Sequence, residues 1–299
     1  MVRPLLIPLT YVCLQAWLGT AQAVVELPLD MAPDAFDDQY LGCDKEMGEL
    51  APGLLEKEMT SLLRRVWEDG RAEWPRVKTE ISLPAGFKDD YGIAVIAYTD
   101  NDFHSVLNKA MRENGKSLAG YMANFQFKAF HYFLTRALQL LRGKCEAMYK
   151  NTVYRGVRDI RFQYSGSGHM RFGQFASSSF KIAEAEEFGT DTFFTIHSCF
   201  GADIRAFSHF QQEEEVLIPV YEIFKVSPGK LSNNFTLWST NRTCSYFNCA
   251  YVNGEKKDVC VYNAATRGGI TFPSKMSPSW FGGTVILVHV AALKMFAGF

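Results

Sequence analysis

An α+β fold, with a helical N-terminal lobe packed on a β-rich C-terminal lobe, follows from three features of this 299-residue chain. Apolar residues recur at helical spacing through about residues 44–143, and the period shortens to two between about 151 and 262. No internal repeat or low-complexity linker separates the two stretches, so they read as one unit with a cleft between lobes. With 47% hydrophobic and 14% aromatic residues, the chain has enough apolar surface for such a core. A formal net charge of -1, without a long Lys/Arg cluster, gives no electrostatic basis for a nucleic-acid partner.

The elements follow in order. Arg3, the apolar run from Leu5 to Leu18 and the small-x-small sequence Ala21-Gln22-Ala23 predict an export signal over 1–23, with the mature chain starting at Val24. Removing it takes Cys13 and leaves an even set, Cys43, Cys145, Cys199, Cys244, Cys249 and Cys260, as an oxidising compartment favours. Two glycosylation sequons, at Asn234 and Asn241, agree with export.

Residues 27–43, with Pro28, Pro33 and no sustained period, predict an extended wrapping segment. Helical spacing then appears in Leu54, Met59, Leu62, Leu63 and Val66, and again in Phe103, Val106, Leu107 and Met111, the latter capped by Asp100 or Asn101. A third helix is expected from Ser117 to Leu141, closed by a glycine cap at Gly143. The apolar run at 92–99 predicts a strand interrupting this lobe. Further strands are expected at 152–154, 173–177, 192–198, 204–208, 214–221, 222–226, 245–252 and 259–262. At the C-terminus, the small residues Asn263-Ala264-Ala265, a polar spacer and an apolar tail from Trp280 fit a glycosylphosphatidylinositol-attachment signal. A permanent span is disfavoured by His289 and Lys294 inside the tail, and plain secretion is the third possibility.

Three clusters carry chemical potential. Glu213-Glu214-Glu215 run into the apolar Val216 to Tyr221, so on a continuous strand Glu213 and Glu215 would share a face roughly 7 Å apart with Glu214 opposite. Two carboxylates on one face suit chemistry at a glycosidic carbon, although a solvated acidic turn is the plainer alternative. Tyr154-Arg155-Gly156 places an arginine able to fork onto a diphosphate beside a glycine that permits close approach. Ser177 and Ser179, two apart, would share a strand face.

Read together, Tyr-Arg-Gly, then Phe-x-Ser-x-Ser from Phe175, then Glu-x-Glu resemble the signature of the vertebrate ecto-ADP-ribosyltransferases, the arginine-specific enzymes related in fold to clostridial toxins. The similarity extends to Asp30-Met31-Ala32-Pro33, to Phe36-Asp37-Asp38-Gln39-Tyr40 and to Phe188-Gly189-Thr190-Asp191-Thr192-Phe193-Phe194. The resemblance implies transfer of ADP-ribose from NAD to protein arginine, with NAD hydrolysis as a side reaction. It implies that Arg155 grips the diphosphate, Ser177 holds Glu215, Glu215 binds the nicotinamide ribose and steadies the oxocarbenium-like transition state, and Glu213 orients the acceptor guanidinium. Tyr98, Gln174 and Ser208 would lie along the NAD pocket, and residues 207–212 would present the acceptor. A guanidinium stays charged at physiological pH and needs a carboxylate to localise its proton, which matches a glutamate at 213.

The implied partners are NAD and arginine-bearing extracellular or membrane proteins, with a lipid-anchored monomer as the working unit. The alternative is a non-catalytic surface glycoprotein on the same scaffold. No Gly-x-Gly-x-x-Gly follows a strand, and the 6 histidines lack metal-ligand spacing, so neither a dehydrogenase-type fold nor a metal is expected. Of the fifteen pairings open to six cysteines, the expected ones are Cys145 with Cys199, Cys43 with Cys260, and Cys244 with Cys249.

Overall fold

The structure, a computed structural model, describes residues 24–166 and 168–264. The export signal and the tail beyond Ala264 lie outside the described residues. A short strand β1 (Val25–Pro28) leads through the wrapping segment into helices α1 (Asp44–Glu58), α2 (Ser61–Glu80), α3 (Asp89–Tyr98), α4 (Phe103–Asn114), α5 (Leu118–Asn124), α6 (Lys128–Leu141) and α7 (Cys145–Lys150). The apolar period through Leu54 and Val66 is shared by two helices, because Thr60 leaves helical geometry and its Oγ1 accepts from Leu63 N at 3.2 Å to cap α2. The run from Ser117 to Leu141 also divides. Ser117 caps α5, and the Glu58 carboxylate of α1 caps α6 by accepting from Lys128 N and Ala129 N at 3.0 and 2.9 Å. Arg142, rather than a left-handed glycine, ends α6 by turning to extended backbone. Ahead of α4 the Asp100 carboxylate accepts from Asp102 N and Phe103 N at 3.0 and 3.1 Å, so the aspartate expected to cap does so from two residues before the helix cap position.

The expected strand at 92–99 is helix α3. Every residue from Tyr91 to Tyr98 is buried, so the helix shows no polar face and therefore no 3.6-residue period, and its β-branched Ile93, Val95 and Ile96 mimic a core strand. Gly92 is required by packing, since a Cβ there would lie 2.3 Å from the Trp74 ring of α2.

After α7 come β2 (Val153–Val157), β3 (Ile160–Gln163), β4 (His169–Met170), β5 (Ala176–Ser179), α8 (Ile182–Glu187), β6 (Thr192–His197), β7 (Ala202–Asp203), β8 (Glu215–Ile218), β9 (Glu222–Pro228), β10 (Asn234–Asn248) and β11 (Glu255–Ala264). The main sheet has the order β4-β9-β10-β6-β2-β5-β8-β7, with β11 joined to β10, while β1 and β3 form a small parallel pair. Residues 204–208 form a turn, with Phe207 N and Ser208 N both donating to Ile204 O, instead of the expected strand. Residues 249–252 likewise turn instead of extending the strand expected at 245–252. β10 instead begins at Asn234, where the alternation of Phe235 and Leu237 with polar neighbours is brief and gives way to the polar run 239–243.

Two apolar clusters sandwich the sheet. Val216 and Ile218 pack with Ala176, Ile196 and Phe224 on one side, whereas Leu217 joins the aromatic core of the helical lobe on the other. Because residues two apart share a strand face, Glu215 looks the same way as Leu217, toward the helices.

The wrapping segment is tied down by buried charge. Asp37 accepts from Tyr246 N and Phe247 N and pairs with the wholly buried Arg171 at 2.6 Å, while Asp38 accepts from Cys249 N and Ala250 N. This clamp brings Cys43 to the β10–β11 turn, so the disulfides are Cys43–Cys249 and Cys244–Cys260, correcting two expected pairings. Cys244 and Cys260 meet across the antiparallel β10–β11 hairpin, which spacing in sequence did not reveal. Cys145–Cys199 forms as expected. Among the described residues no helix is long and apolar enough to cross a membrane.

Candidate active site

Sheet order assembles the site. β2, β5 and β8 are consecutive neighbours, so Arg155, Ser177 and Glu215 arrive on three adjacent strands although 60 residues of sequence span them. Ser177 pairs across from Leu217 and Ser179 across from Glu215, which sets both serines on the face that carries Glu215. They border a cavity of about 520 Å³, within the usual range for a small-molecule site, lined by Tyr98, His104, Arg155, Ser177, Glu213 and Glu215 among others.

Glu215 is 6% exposed. Burial raises its carboxyl above the ordinary range, and the Ser177 and Ser208 hydroxyls oppose that shift by hydrogen bonding to the ionised form. Arg155 is half-buried and donates from Nη1 to Ser177 O at 2.6 Å, so the guanidinium is braced against the serine strand with its other donors free to face the cavity. Gly156 answers a crowding that the sequence did not disclose: a Cβ there would stand 2.0 Å from Ala185 O and 2.2 Å from Gly189 O. The glycine lets α8 and the following turn close over β2.

Glu213 differs from the strand geometry expected of it. It sits in a 3-10 turn (Gln211–Glu213), and Glu214 adopts left-handed backbone at φ 47, so the extended strand starts only at Glu215. The one-face relation of Glu213 and Glu215 predicted from a continuous strand is therefore replaced by a turn that brings Glu213 to the cavity independently. Ser179 Oγ donates to Glu213 O at 2.6 Å and Lys181 Nζ to Gln212 O at 2.9 Å, stapling the turn to the end of β5. Partial burial, then repulsion from Glu215, Glu184 and Glu187, pushes the Glu213 carboxyl up to about 7. Glu214 points to Lys181 at 3.3 Å, away from the cavity lining.

Of the other expected residues, Ser208 is 5% exposed and sits behind Glu215. Tyr98 is 1% exposed, in the cavity floor. Gln174 bonds Arg112 and borders a second cavity of about 360 Å³ that meets the first at Arg155. The structure adds His104, Asn108, Phe188 and Phe210 to the first lining. His104 and Asn108 stand at i, i+4 on α4, a spacing legible in the sequence once the helix is assigned. Phe188, 55% exposed, had no periodic signal. Among the described residues no group of three or more His, Cys, Asp or Glu side chains is placed to hold a metal ion.

A buried carboxylate held by hydroxyls, a second carboxylate on a turn and an arginine lining the same cavity define a carboxylate-based glycosyl-transfer site on a mixed helix-and-sheet fold. The comparisons name the class more closely. A family model for NAD:arginine ADP-ribosyltransferases matches residues 29–245, and this chain belongs to that family. It is 48% identical over 267 residues to ecto-ADP-ribosyltransferase 5 of Homo sapiens, covering 86% of this chain and 91% of the relative. The Rattus norvegicus form is 47% identical over 258 residues, covering 83% and 84%. A crystal structure of a variant of the eukaryotic mono-ADP-ribosyltransferase ART2.2 in complex with NAD superposes with a TM-score of 0.67 at 41% identity, covering 76% of this chain and 99% of that one.

Proposed function

We propose that the protein transfers ADP-ribose from NAD to arginine side chains of proteins, releasing nicotinamide, with NAD hydrolysis when water replaces the acceptor. The observation that carries this reading is the convergence of Arg155, Ser177 and Glu215, from three adjacent strands, on one cavity with Glu213 beside them. Family membership supports both NAD and the arginine acceptor.

In this reading Arg155 takes the diphosphate with the guanidinium donors that its bond to Ser177 O leaves over. Glu215 accepts from the ribose hydroxyl next to the breaking bond and stabilises positive charge as nicotinamide leaves, in a pocket where burial strengthens the interaction. Ser177 and Ser208 fix the Glu215 carboxylate. Glu213 receives the acceptor guanidinium. A carboxyl pushed up to about 7 suits the localisation or removal of a guanidinium proton near neutral pH. Tyr98 underlies the pocket, and Gln174 supports its Arg155 end from the adjoining cavity.

The same reading places residues 24–262 in the catalytic unit and the enzyme on the exported side of a membrane. Support comes from the Ala21-Gln22-Ala23 pattern, the six paired cysteines, an exposed sequon residue Asn241 on a left-handed bulge, and the ecto- designation of the relatives. A glycosylphosphatidylinositol anchor attached near residues 263–265 is the proposed tether, and a monomer is the proposed unit because one chain supplies the whole site. Retention on cells after phosphatidylinositol-specific phospholipase C would remove the anchor from the account. The function is tested by incubating the purified protein with labelled NAD and agmatine. ADP-ribosylated agmatine is expected, and absence of both that product and free nicotinamide would overturn the proposal.

A further inference from the structure

One line of register crosses the sheet from the buried carboxylate of the cavity to a glycosylation sequon. Glu215 on β8 pairs with Ser179 on β5, Ser179 with Tyr154 on β2, Tyr154 with Thr195 on β6, and Thr195 with Thr236 on β10. Paired residues share a sheet face, so Thr236 of Asn234-Phe235-Thr236 points the same way as Glu215. Asn234 and Trp238, each two residues from Thr236, share that face, while Phe235 and Leu237 point the other way into the apolar core. At β8 the helical lobe closes this face through Leu217, but at β10 Trp238 is 37% exposed.

Trp238 belongs to an aromatic group. Its ring lies parallel to that of His197 on β6, with centroids 4.2 Å apart and 2° between planes, and Tyr149 of α7 stands 5.7 Å from His197. On the opposite side, across β9, Trp238 is in register with the exposed Lys225. Between this group and Asn234 the surface is low, floored by the half-buried Thr236, Thr195 and Ser227. Four residues of strand set Asn234 about 13 Å from Trp238, within reach of the first few sugars of an oligosaccharide. The adjacent asparagines differ in role. Asn233 Nδ2 donates to Thr190 O at 2.7 Å, whereas Asn234 is fixed through its backbone, its N donating to Leu231 O at 3.1 Å and its O accepting from Gly229 N at 2.7 Å. Gly229 keeps the flank of Asn234 clear, since a Cβ there would stand 3.0 Å from Asn234 Cβ.

We propose that Asn234 carries an N-linked glycan whose inner sugars lie over Thr236 and stack on Trp238, so that the open part of this sheet face is covered by the protein's own sugar. Attachment joins the Asn234 amide nitrogen to the anomeric carbon of a sugar carried on a lipid diphosphate. The bond from that carbon to the diphosphate breaks, the diphosphate leaves with the electron pair, and the amide nitrogen loses one proton. Such donors serve exported chains, so the proposal rests on the exported location proposed above. Sugar C–H faces are apolar and carry partial positive charge, which suits the electron-rich face of an indole. Asn241, the second sequon, has left-handed backbone at φ 53 beyond a register shift in β10, so strand alternation does not carry it to the Trp238 face.

The test compares the parent, Asn234→Gln and Asn241→Gln, each secreted as the full chain from cultured eukaryotic cells and checked by thermal melting, using glycopeptide mass spectrometry and hydroxyl-radical footprinting. Sugar is expected on the Asn234 peptide of the parent and of Asn241→Gln. Trp238 should be labelled about twofold more in Asn234→Gln than in the parent, because the sugar covers the ring face that His197 leaves open. Trp67, wholly buried, is the internal reference. Thr236→Ala, which removes the sequon and keeps Asn234, takes the place of Asn234→Gln if that variant does not fold. An unmodified Asn234 in a secreted chain would overturn the proposal, as would equal labelling of Trp238 with and without the sugar. A parent chain found in the cytosol would instead defeat the exported location on which the proposal rests.

Discussion

The two carboxylates, two positions apart in sequence, are held by opposite means, one on a turn and one on a strand. Glu215 begins β8, in register with Ser179 on one side, 6% exposed and tied to two hydroxyls. Glu213 stands in a turn whose backbone is pinned by Ser179 and Lys181 while its carboxyl stays half-buried and is pushed up to about 7. On the proposed assignment, the strand fixes a charge beside the bond to nicotinamide and the turn leaves a charge that can adjust to the incoming acceptor.

That contrast fixes the order of effects. Glu215→Gln keeps the shape and removes the charge, so nicotinamide release and agmatine modification should both fall on the order of 10²–10³. Next, Glu213→Gln should lower agmatine modification by on the order of 10² while nicotinamide release drops only a few-fold. Arg155→Lys keeps a positive charge but loses the fork, and KM for NAD should rise about tenfold with a smaller change in kcat.

The pH dependence sharpens the comparison further. Glu213 is protonated below its raised value of about 7, and in the proposed reading the ionised form is the one that serves the guanidinium. Agmatine transfer should therefore rise about tenfold per pH unit up to about 7 and then level, a limb that Glu213→Gln abolishes. For stability the sign is the reverse. A carboxyl whose folded value is raised favours folding fully below its unfolded value, and that contribution is lost as pH climbs through about 7. The smallest effect belongs to Glu214→Gln. Its exposed pair with Lys181 is worth at most about 1 kcal/mol, and both activities should stay within about twofold.

What the sequence made legible follows the same division. The switch from helical to alternating period was readable because it rests on local spacing, whereas Arg155, Ser177 and Glu215 were singled out as a set only through the resemblance to a known family, each short motif being weak alone. The strand expected at 92–99 was not, since full burial of α3 erases the polar face that distinguishes a helix. The turn at Glu213 was hidden because three consecutive glutamates carry no marker for the left-handed backbone that only Glu214 adopts. The Cys43–Cys249 pairing depends on a clamp between Asp37, Asp38 and residues 246–250, more than 200 positions away, and the Cys244–Cys260 pairing on the β10–β11 hairpin, neither of which spacing encodes. Asn108 carried no signal in the sequence and Tyr98 was expected on a strand, and only the packing of α3 and α4 on the sheet brings their polar ends together at Phe175 O.

The division of labour between strand and turn is tested most directly by the ratio of agmatine modification to nicotinamide release, measured side by side for the parent, Glu213→Gln and Glu215→Gln at one pH above 7. The account predicts a ratio that collapses in the Glu213 variant while release persists, and both activities lost in the Glu215 variant. An unchanged ratio in the Glu213 variant, with both activities falling equally, would contradict it.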